Sequence, residues 1–215
     1  MILWTIQSAD WWNKLQTDGS IVGDLSYVEA DYVDAGIGEY FLDELQPAYE
    51  WLIEQMKQKL PDPPPNPNAY PLWAWYRWYY KTRKAPDLRY FRFHSSAGNN
   101  VRIRFEIDDR LVLLTDLESW ERILDNRIIR PYNEEYEKEY DEYDEDEDIE
   151  PIPFTEEEKL KSWNLVYEFG YFGNPIENTA TQATFWEIRL DQVKEVKEFT
   201  AIHIGRGYEK KWIDA

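Results

Sequence analysis

The chain of 215 residues contains no cysteine and only two histidines, His94 and His203. The absence of cysteine excludes disulfides, a thiolate nucleophile and thiolate metal ligands. Two histidines argue against a histidine-rich zinc site. A protein without cysteine fits a reducing compartment, so we expect a cytoplasmic location.

Long apolar runs are also missing. No stretch reaches the roughly 18 apolar residues that a membrane-spanning helix needs. The first residues, MILWTIQSADWW, have neither a basic region nor a long apolar run, so they do not resemble a signal peptide. We therefore expect no membrane partner.

The sequence contains none of the common catalytic or cofactor motifs. It has no phosphate loop, no GxGxxG, no HExxH and no GxSxG. The acidic run DEDED lacks the central glycine of an EF-hand loop, which argues against calcium binding there. Any site must therefore be assembled from residues that are distant in sequence.

Charge is abundant and unevenly distributed. The formal net charge is −19, which should repel nucleic acid and anionic lipid from the chain as a whole. Residues 134–150 hold twelve acidic residues and one lysine, whereas residues 77–104 hold eight basic residues and only Asp87 as an acid. The acidic stretch could bind a basic protein partner, and the basic stretch predicts a local cationic surface.

The pattern of apolar residues predicts a single α+β domain over 1–215 with a mixed, mostly antiparallel sheet and flanking helices. Strands are predicted at 2–7, 72–80, 101–107, 111–114 and 181–190, and a last strand at 201–204. Helices are predicted after Ser8, from Pro47, after Thr115 or Asp116, and after Thr155, where Glu158 completes a capping box. Residues 20–40 are expected to be irregular, and 191–199 to form a short amphipathic turn.

Two segments are predicted to be loops. Residues 61–71 are rich in proline and must be extended. They could link two domains, but about 60 residues on their N-terminal side make a poor independent core, so we favour a rigid loop within one domain. The second predicted loop is the acidic stretch at 133–153.

Aromatic residues are 17% of the chain and include eleven tryptophans. On the strand at 72–80, Trp73, Trp75 and Arg77 share one predicted face, and Arg89 follows soon after. Arginine beside flat rings is the chemistry of nucleotide recognition, since guanidinium binds phosphate and the ring stacks on a base. The alternative is that the cations pair with the chain's own carboxylates while the rings fill the core.

Polar residues on otherwise apolar strand faces give a second set of candidates. Thr5, Gln7, Gln182 and Thr184 occupy positions where burial is expected. A buried amide without partners costs roughly 1–3 kcal/mol, so these side chains must bond to one another, to backbone or to a ligand.

Several motifs occur in an order that resembles a bacterial family, domain-of-unknown-function family 3841. The motifs are LWTIQ at 3–7, AYEWLIEQM at 48–56, PLWAW at 71–75, PDLR at 86–89, VLLTDLESW at 112–120, KSW at 161–163 and QATFWEIRLDQVKEV at 182–196. The resemblance covers residues 3–199 and implies no particular activity.

The chain is more distantly similar to ADP-ribosyltransferase-type folds. That similarity implies NAD as the cofactor, a functional polar residue on the first strand, and a catalytic glutamate on a late strand. In this sequence Thr5 or Gln7 takes the first position, where those enzymes carry Arg or His. The late strand offers Gln182, Thr184 or Glu187 for the second, and Glu187 has the right chemistry, although it is predicted on the face opposite Gln182.

Two functional hypotheses follow. The first is a nucleotide- or NAD-binding transferase-like domain, with Glu187 as the catalytic carboxylate and Thr5, Gln7, Arg77 and Arg89 holding the ligand. The second is a non-catalytic acidic interaction protein, such as an inhibitor, an antitoxin-like partner or a nucleic-acid mimic that acts through 134–150. Convergence of Gln7, Arg89 and Gln182 on one cleft would favour the first.

Overall fold

The computed structural model describes residues 1–26, 45–78, 85–89, 98–129, 154–169 and 179–201. Within these ranges the helices are α1 (Ala9–Asp18), α2 (Gln46–Lys59), α3 (Leu117–Leu124) and α4 (Glu156–Ser162). The strands are β1 (Ile2–Ser8), β2 (Ser20–Asp24), β3 (Ala69–Tyr70), β4 (Leu72–Arg77), β5 (Gly98–Glu106), β6 (Leu113–Asp116), β7 (Thr181–Phe185), β8 (Glu187–Arg189) and β9 (Val193–Ala201). No helix in the described ranges is both long and apolar enough to cross a membrane.

The described strands form two antiparallel sheets. The larger has six strands in the order β6-β7-β4-β1-β5-β9, and the smaller has the order β3-β2-β8. Helices and antiparallel strands without βαβ units make an α+β fold, as the sequence predicts.

Different elements pack against the two faces of the larger sheet. One face, called here the α1 face, carries Leu3, Ile103 and Phe105, which form a core with Leu15 of α1 and Ile188 of the smaller sheet. The other, called here the α3 face, carries Trp73 and Leu113 on its β4 and β6 strands. They pack with residues from the helical layer, namely Leu52 and Met56 of α2, Trp120 and Ile123 of α3, and Trp163.

Local signals in the sequence correctly identify the helix ends. The Ser8 hydroxyl accepts a hydrogen bond from the Trp11 N–H at 3.1 Å, and Gly19 ends α1 in the left-handed region at φ 80°. Thr155 and Glu158 form the reciprocal capping box of α4. Pro47 lies in the first turn of α2, where its missing N–H costs nothing.

The expectation that residues 20–40 are irregular is wrong for Ser20–Asp24, which is strand β2. Ile21 pairs with Ile188 and Gly23 with Tyr70, so this short strand holds the smaller sheet together. Residues 27–44 lie outside the described ranges. Of the predicted loop at 61–71, the last part is also a strand, because Ala69–Tyr70 pairs with β2.

The predicted strand at 181–190 is two strands that belong to different sheets. Phe185 pairs with Leu72 in the larger sheet, and Ile188 pairs with Ile21 in the smaller one. The chain changes sheet at Trp186, whose carbonyl accepts a hydrogen bond from Gly23 N–H at 3.4 Å. The apolar pattern over 181–190 is continuous, so it gives no sign that the chain leaves the larger sheet and joins the smaller one.

The prediction of an amphipathic turn over 191–199 is also wrong, because Val193–Ala201 is strand β9. Val193 pairs with Phe105 and Val196 with Ile103, so four residues of β9 match three of β5. The register shift between Arg104 and Phe105 absorbs the extra residue, as a β-bulge does. The resulting spacing of three between apolar residues imitates a helix.

Candidate binding site

Strand register aligns one side chain from every strand of the larger sheet in a single row on the α3 face. Trp4 pairs with Trp75 on one side and with Arg104 on the other. Gln182 pairs with both Trp75 and Thr115, and Glu195 pairs with Arg104 at the far edge. Directly paired residues point to the same side of a sheet, with Cβ atoms about 5 Å apart.

The β6 end of this row holds polar atoms that are buried and lack hydrogen-bond partners among the described residues. They are Thr115 Oγ1 and Gln182 Oε1, and Trp73 Nε1 on the neighbouring row of the same face is a third. The side chain of Thr115 is fully buried. We call these three residues the polar cluster.

A buried polar atom without a partner costs roughly 1–3 kcal/mol, so native proteins seldom keep several together. Such groups are otherwise paired with an ordered water or a ligand. The polar cluster offers an amide acceptor, an indole donor and one hydroxyl. This set can bind a molecule with both a donor and an acceptor along one edge.

Aromatic rings surround the polar cluster. The Trp73 ring lies 5.1 Å from the Trp120 ring, tilted by 40°, and 6.3 Å edge-on from Tyr49. Trp75 meets Trp78 edge-on with centroids 4.9 Å apart. These arrangements are typical of aromatic packing, and they give the cluster flat, apolar walls.

Helix α3 begins beside the polar cluster, and its cap is a buried carboxylate. Asp116 Oδ1 accepts a hydrogen bond from Ser119 N–H at 2.8 Å, and its side chain is almost closed to solvent. Burial raises the pKa of Asp116 above its usual value, despite the opposing hydrogen bonds. The pKa of Glu118 is also raised, first by burial and then by the nearby Asp116 charge.

Two arginines lie on the α3 face toward the β9 edge. Arg102 Nη1 donates to the Pro86 carbonyl at 2.9 Å, and the same guanidinium lies 3.9 Å from a Glu195 carboxylate oxygen. Arg104 is half-buried, and its side chain makes no hydrogen bond or ion pair with any other residue that the structure describes. The Arg102 guanidinium therefore already has structural partners, whereas the Arg104 guanidinium has none among the described residues.

Four of the predicted site residues meet on the α3 face: Trp73, Trp75, Gln182 and Thr184. Thr184 pairs with Trp73 one row from Gln182. Its hydroxyl is fully buried and donates to the Leu113 carbonyl at 3.2 Å, so its proton is already used. Of the other three, Trp73 and Gln182 belong to the polar cluster, and Trp75 pairs directly with Gln182.

Thr5 and Gln7 point to the opposite, α1 face, since their strand neighbour Trp4 points to the α3 face. Gln7 Nε2 donates to Thr5 Oγ1 at 2.8 Å, and Thr5 Oγ1 donates to the Trp73 carbonyl at 3.1 Å. This chain of hydrogen bonds ties β1 to β4, so both polar side chains have a structural role.

Arg77 and Arg89 do not lie together. The Arg77 guanidinium is 5.8 Å from the centroid of the Tyr76 ring, at the end of β4. Arg89 is exposed and forms a two-pronged ion pair with Asp87. Gln7, Arg89 and Gln182 therefore do not converge on one cleft. The remainder of the basic stretch, 79–84 and 90–97, lies outside the described residues, as does the acidic stretch at 134–150.

Glu187 belongs to the smaller sheet, beyond the change of sheet at Trp186. It lines a small cleft of about 80 Å³ together with Asp62, Arg189 and Gln192. The walls of this cleft are Leu60, Pro63, Pro65, Ile107, Leu111, Phe185 and Trp186. The predicted catalytic carboxylate thus faces the proline-rich segment, apart from the polar cluster.

Sequence patterns do not identify Thr115 or Arg104 as site residues. They predict Thr115 only as an alternative helix cap, although Asp116 is the cap. A threonine inside the short apolar strand LLTD is a detectable signal, but only strand register places it beside Gln182.

Comparison with known families identifies the chain. The model of a family described as Domain of unknown function (DUF3841) matches residues 2–194. The chain therefore belongs to this family, as the order of its motifs predicts. Neither a curated protein nor a solved structure matches the chain.

Proposed function

We propose that this member of the DUF3841 family binds a nucleotide, and that the polar cluster on the α3 face receives its base. The supporting observation is the pair Gln182 Oε1 and Trp73 Nε1, a buried acceptor and a buried donor that both lack partners in the described chain. They lie on adjacent strands, and the Trp73 ring packs against the Trp120 ring.

A nucleobase matches this chemistry. Its edge carries both N–H donors and ring-nitrogen or carbonyl acceptors, which Gln182 and Trp73 would satisfy. Its π face can stack on indole, an interaction worth about 1–3 kcal/mol per base. A site built to pair with polar edges rejects ligands that leave those edges unsatisfied.

Calorimetry with ATP, GTP and NAD tests the proposal, with each nucleotide taken to millimolar concentration. Gln182→Leu removes the acceptor and should weaken binding by about tenfold or more, the equivalent of one lost buried hydrogen bond. Gln192→Leu is the matched control, because Gln192 Oε1 accepts from Arg189 N–H in another part of the fold. No heat with any of the three nucleotides would refute the proposal.

Thr115→Val tests whether the unpartnered Thr115 hydroxyl binds a ligand or is only a defect of packing. The valine is close in shape to threonine and removes a hydroxyl that has no partner in the described chain. We expect the ligand-free protein to become more stable by about 1 kcal/mol, while nucleotide affinity falls. A variant that loses stability without any change in affinity would contradict a role in binding.

The geometry supports nucleotide binding better than transfer chemistry. An NAD-using transferase places a carboxylate beside the reacting ribose, whereas Glu187 lies in the smaller sheet. The transfer hypothesis is tested by incubating the protein with NAD and measuring release of nicotinamide. Release by the wild type that is abolished in Glu187→Gln would restore it.

The acidic stretch supports a second candidate function. Residues 134–150 carry twelve acidic residues and one lysine, a density that favours docking of a basic protein. A pull-down with the full chain and with a variant lacking 134–150 checks this. Equal recovery of bound proteins by both would remove the basis for it.

A further inference from the structure

We infer that Arg104 binds the phosphate of the nucleotide and that a nucleoside diphosphate fits the site. This inference rests on the proposed function, since it takes the base to lie at the polar cluster. The row on the α3 face continues from Gln182 through Trp75 and Trp4 to Arg104. It therefore leads from base-recognition chemistry to a cation.

The dimensions of the row fit a nucleoside diphosphate. Neighbouring strands lie about 4.8 Å apart, so the backbones at Gln182 and Arg104, three strand spacings apart, are separated by about 14 Å. That span is comparable with the distance between the polar edge of the base and the terminal phosphate of an extended nucleoside diphosphate. Between them lies Trp4, whose indole provides an apolar floor for the ribose.

The side-chain contacts of the two arginines indicate that Arg104, and not Arg102, binds the phosphate. Arg102 holds the Pro86 carbonyl and lies beside Glu195, and its side chain is only 17% exposed. Arg104 has no such partner in the described ranges. A planar guanidinium binds phosphate oxygens through two parallel hydrogen bonds, which a fixed and half-buried arginine can do without losing an existing contact.

One neighbouring charge opposes phosphate binding. Glu195 pairs directly with Arg104 across the β5–β9 ladder, and its side chain is 54% exposed. Its carboxylate leans toward Arg102 at 3.9 Å, but it still lowers the local positive potential. Removing this charge should therefore strengthen phosphate binding, whereas removing the Arg104 charge should weaken it. The two changes test the phosphate site in opposite directions.

Calorimetry should compare ADP with adenosine, and GDP with guanosine, at low and high salt. In the wild type we expect each diphosphate to bind about tenfold or more tightly than its nucleoside, an advantage that shrinks as salt screens the charge. Arg104→Gln should abolish that advantage and leave nucleoside affinity unchanged, whereas Glu195→Gln should enlarge it. Arg110→Gln is the control, since Arg110 is exposed and paired with Asp108.

The outcomes separate this inference from the proposed function. If nucleosides and diphosphates bind equally, or if Arg104→Gln keeps the full advantage, the phosphate site is refuted while base binding stands. If none of these ligands binds at millimolar concentration, both are refuted. Unfolding curves of Arg104→Gln and Glu195→Gln should match the wild type, so that a change in affinity is not a loss of fold.

Discussion

Asp116 caps helix α3 from a position that is 2% exposed. Replacing it with alanine removes the oxygen that accepts from Ser119 N–H, and leaves that buried donor without a partner. Loss of a cap typically costs about 1 kcal/mol, and a buried orphan donor raises the penalty. We therefore expect Asp116→Ala to lower the free energy of unfolding by about 2 kcal/mol.

Asp116→Asn should behave differently. Asparagine keeps an oxygen for Ser119 N–H and caps helices as well as aspartate does. It also removes the buried negative charge, whose burial raises the pKa of Asp116. At pH 7 the asparagine variant should be at least as stable as the wild type.

The pH dependence has a definite sign. Because the pKa of Asp116 is raised on folding, the native state binds this proton more tightly than the unfolded chain does. The carboxylate therefore destabilises the fold above its folded pKa, and this penalty disappears below the unfolded value of 3.8. Any advantage of Asp116→Asn over the wild type should accordingly shrink as the pH falls toward that value.

Urea unfolding followed by tryptophan fluorescence measures all three proteins at pH 7 and at lower pH. Comparison of the variant with the wild type cancels the titration of the other carboxylates. The reasoning about the cap is refuted if Asp116→Asn is as unstable as Asp116→Ala. The reasoning about burial is refuted if the difference between Asp116→Asn and the wild type does not change with pH.

Two further predictions concern close contacts. A Cβ at Gly23 would clash with the Tyr70 backbone carbonyl of the paired strand, so Gly23→Ala should cost about 3 kcal/mol or more in thermal unfolding. Gly19→Ala should cost less, about 1 kcal/mol, because its Cβ meets nothing and only its φ of 80° disfavours the new side chain. The buried Lys159 ammonium binds Asn126 Oδ1 at 2.7 Å and Glu156 at 2.8 Å. Asn126→Gly tolerates the positive φ of 56° and should cost about 1–2 kcal/mol in urea unfolding. Glu156→Gln, at an exposed partner, should cost less than about 1 kcal/mol, and equal losses would contradict this ranking.

Features that depend on neighbouring residues could be predicted from the sequence. Ser8 and Gly19 bracket α1 because a cap and a left-handed glycine act within one turn of chain. The alternation of Val101, Ile103 and Phe105 predicts a buried strand face, and all three are almost completely buried. The α+β class follows from the sum of such elements.

Features that depend on strand pairing could not be predicted in this way. Thr115 lies beside Gln182 only because β6 and β7 pair in one register, and a slip of one residue would turn the two side chains to opposite faces. Strand pairing also places Thr5 and Trp75 on opposite faces of the sheet. Both strands can be predicted from the sequence, but this relation between them cannot. The bulge opposite Arg104 likewise has no signal in either strand alone.

The basic stretch illustrates why charge counted along a sequence does not define a site. Its described arginines are divided among the end of β4, an exposed pair with Asp87, and the α3 face of the sheet. Alternation along 101–107 predicts that Arg102 and Arg104 share a face, but it gives no information about their partners. Arg102 contacts Pro86 and Glu195, so of these two arginines Arg104 is the one without a side-chain partner among the described residues. We therefore expect phosphate binding on this face to depend on Arg104, and on Trp4 and Trp75, which lie between it and Gln182 in the row.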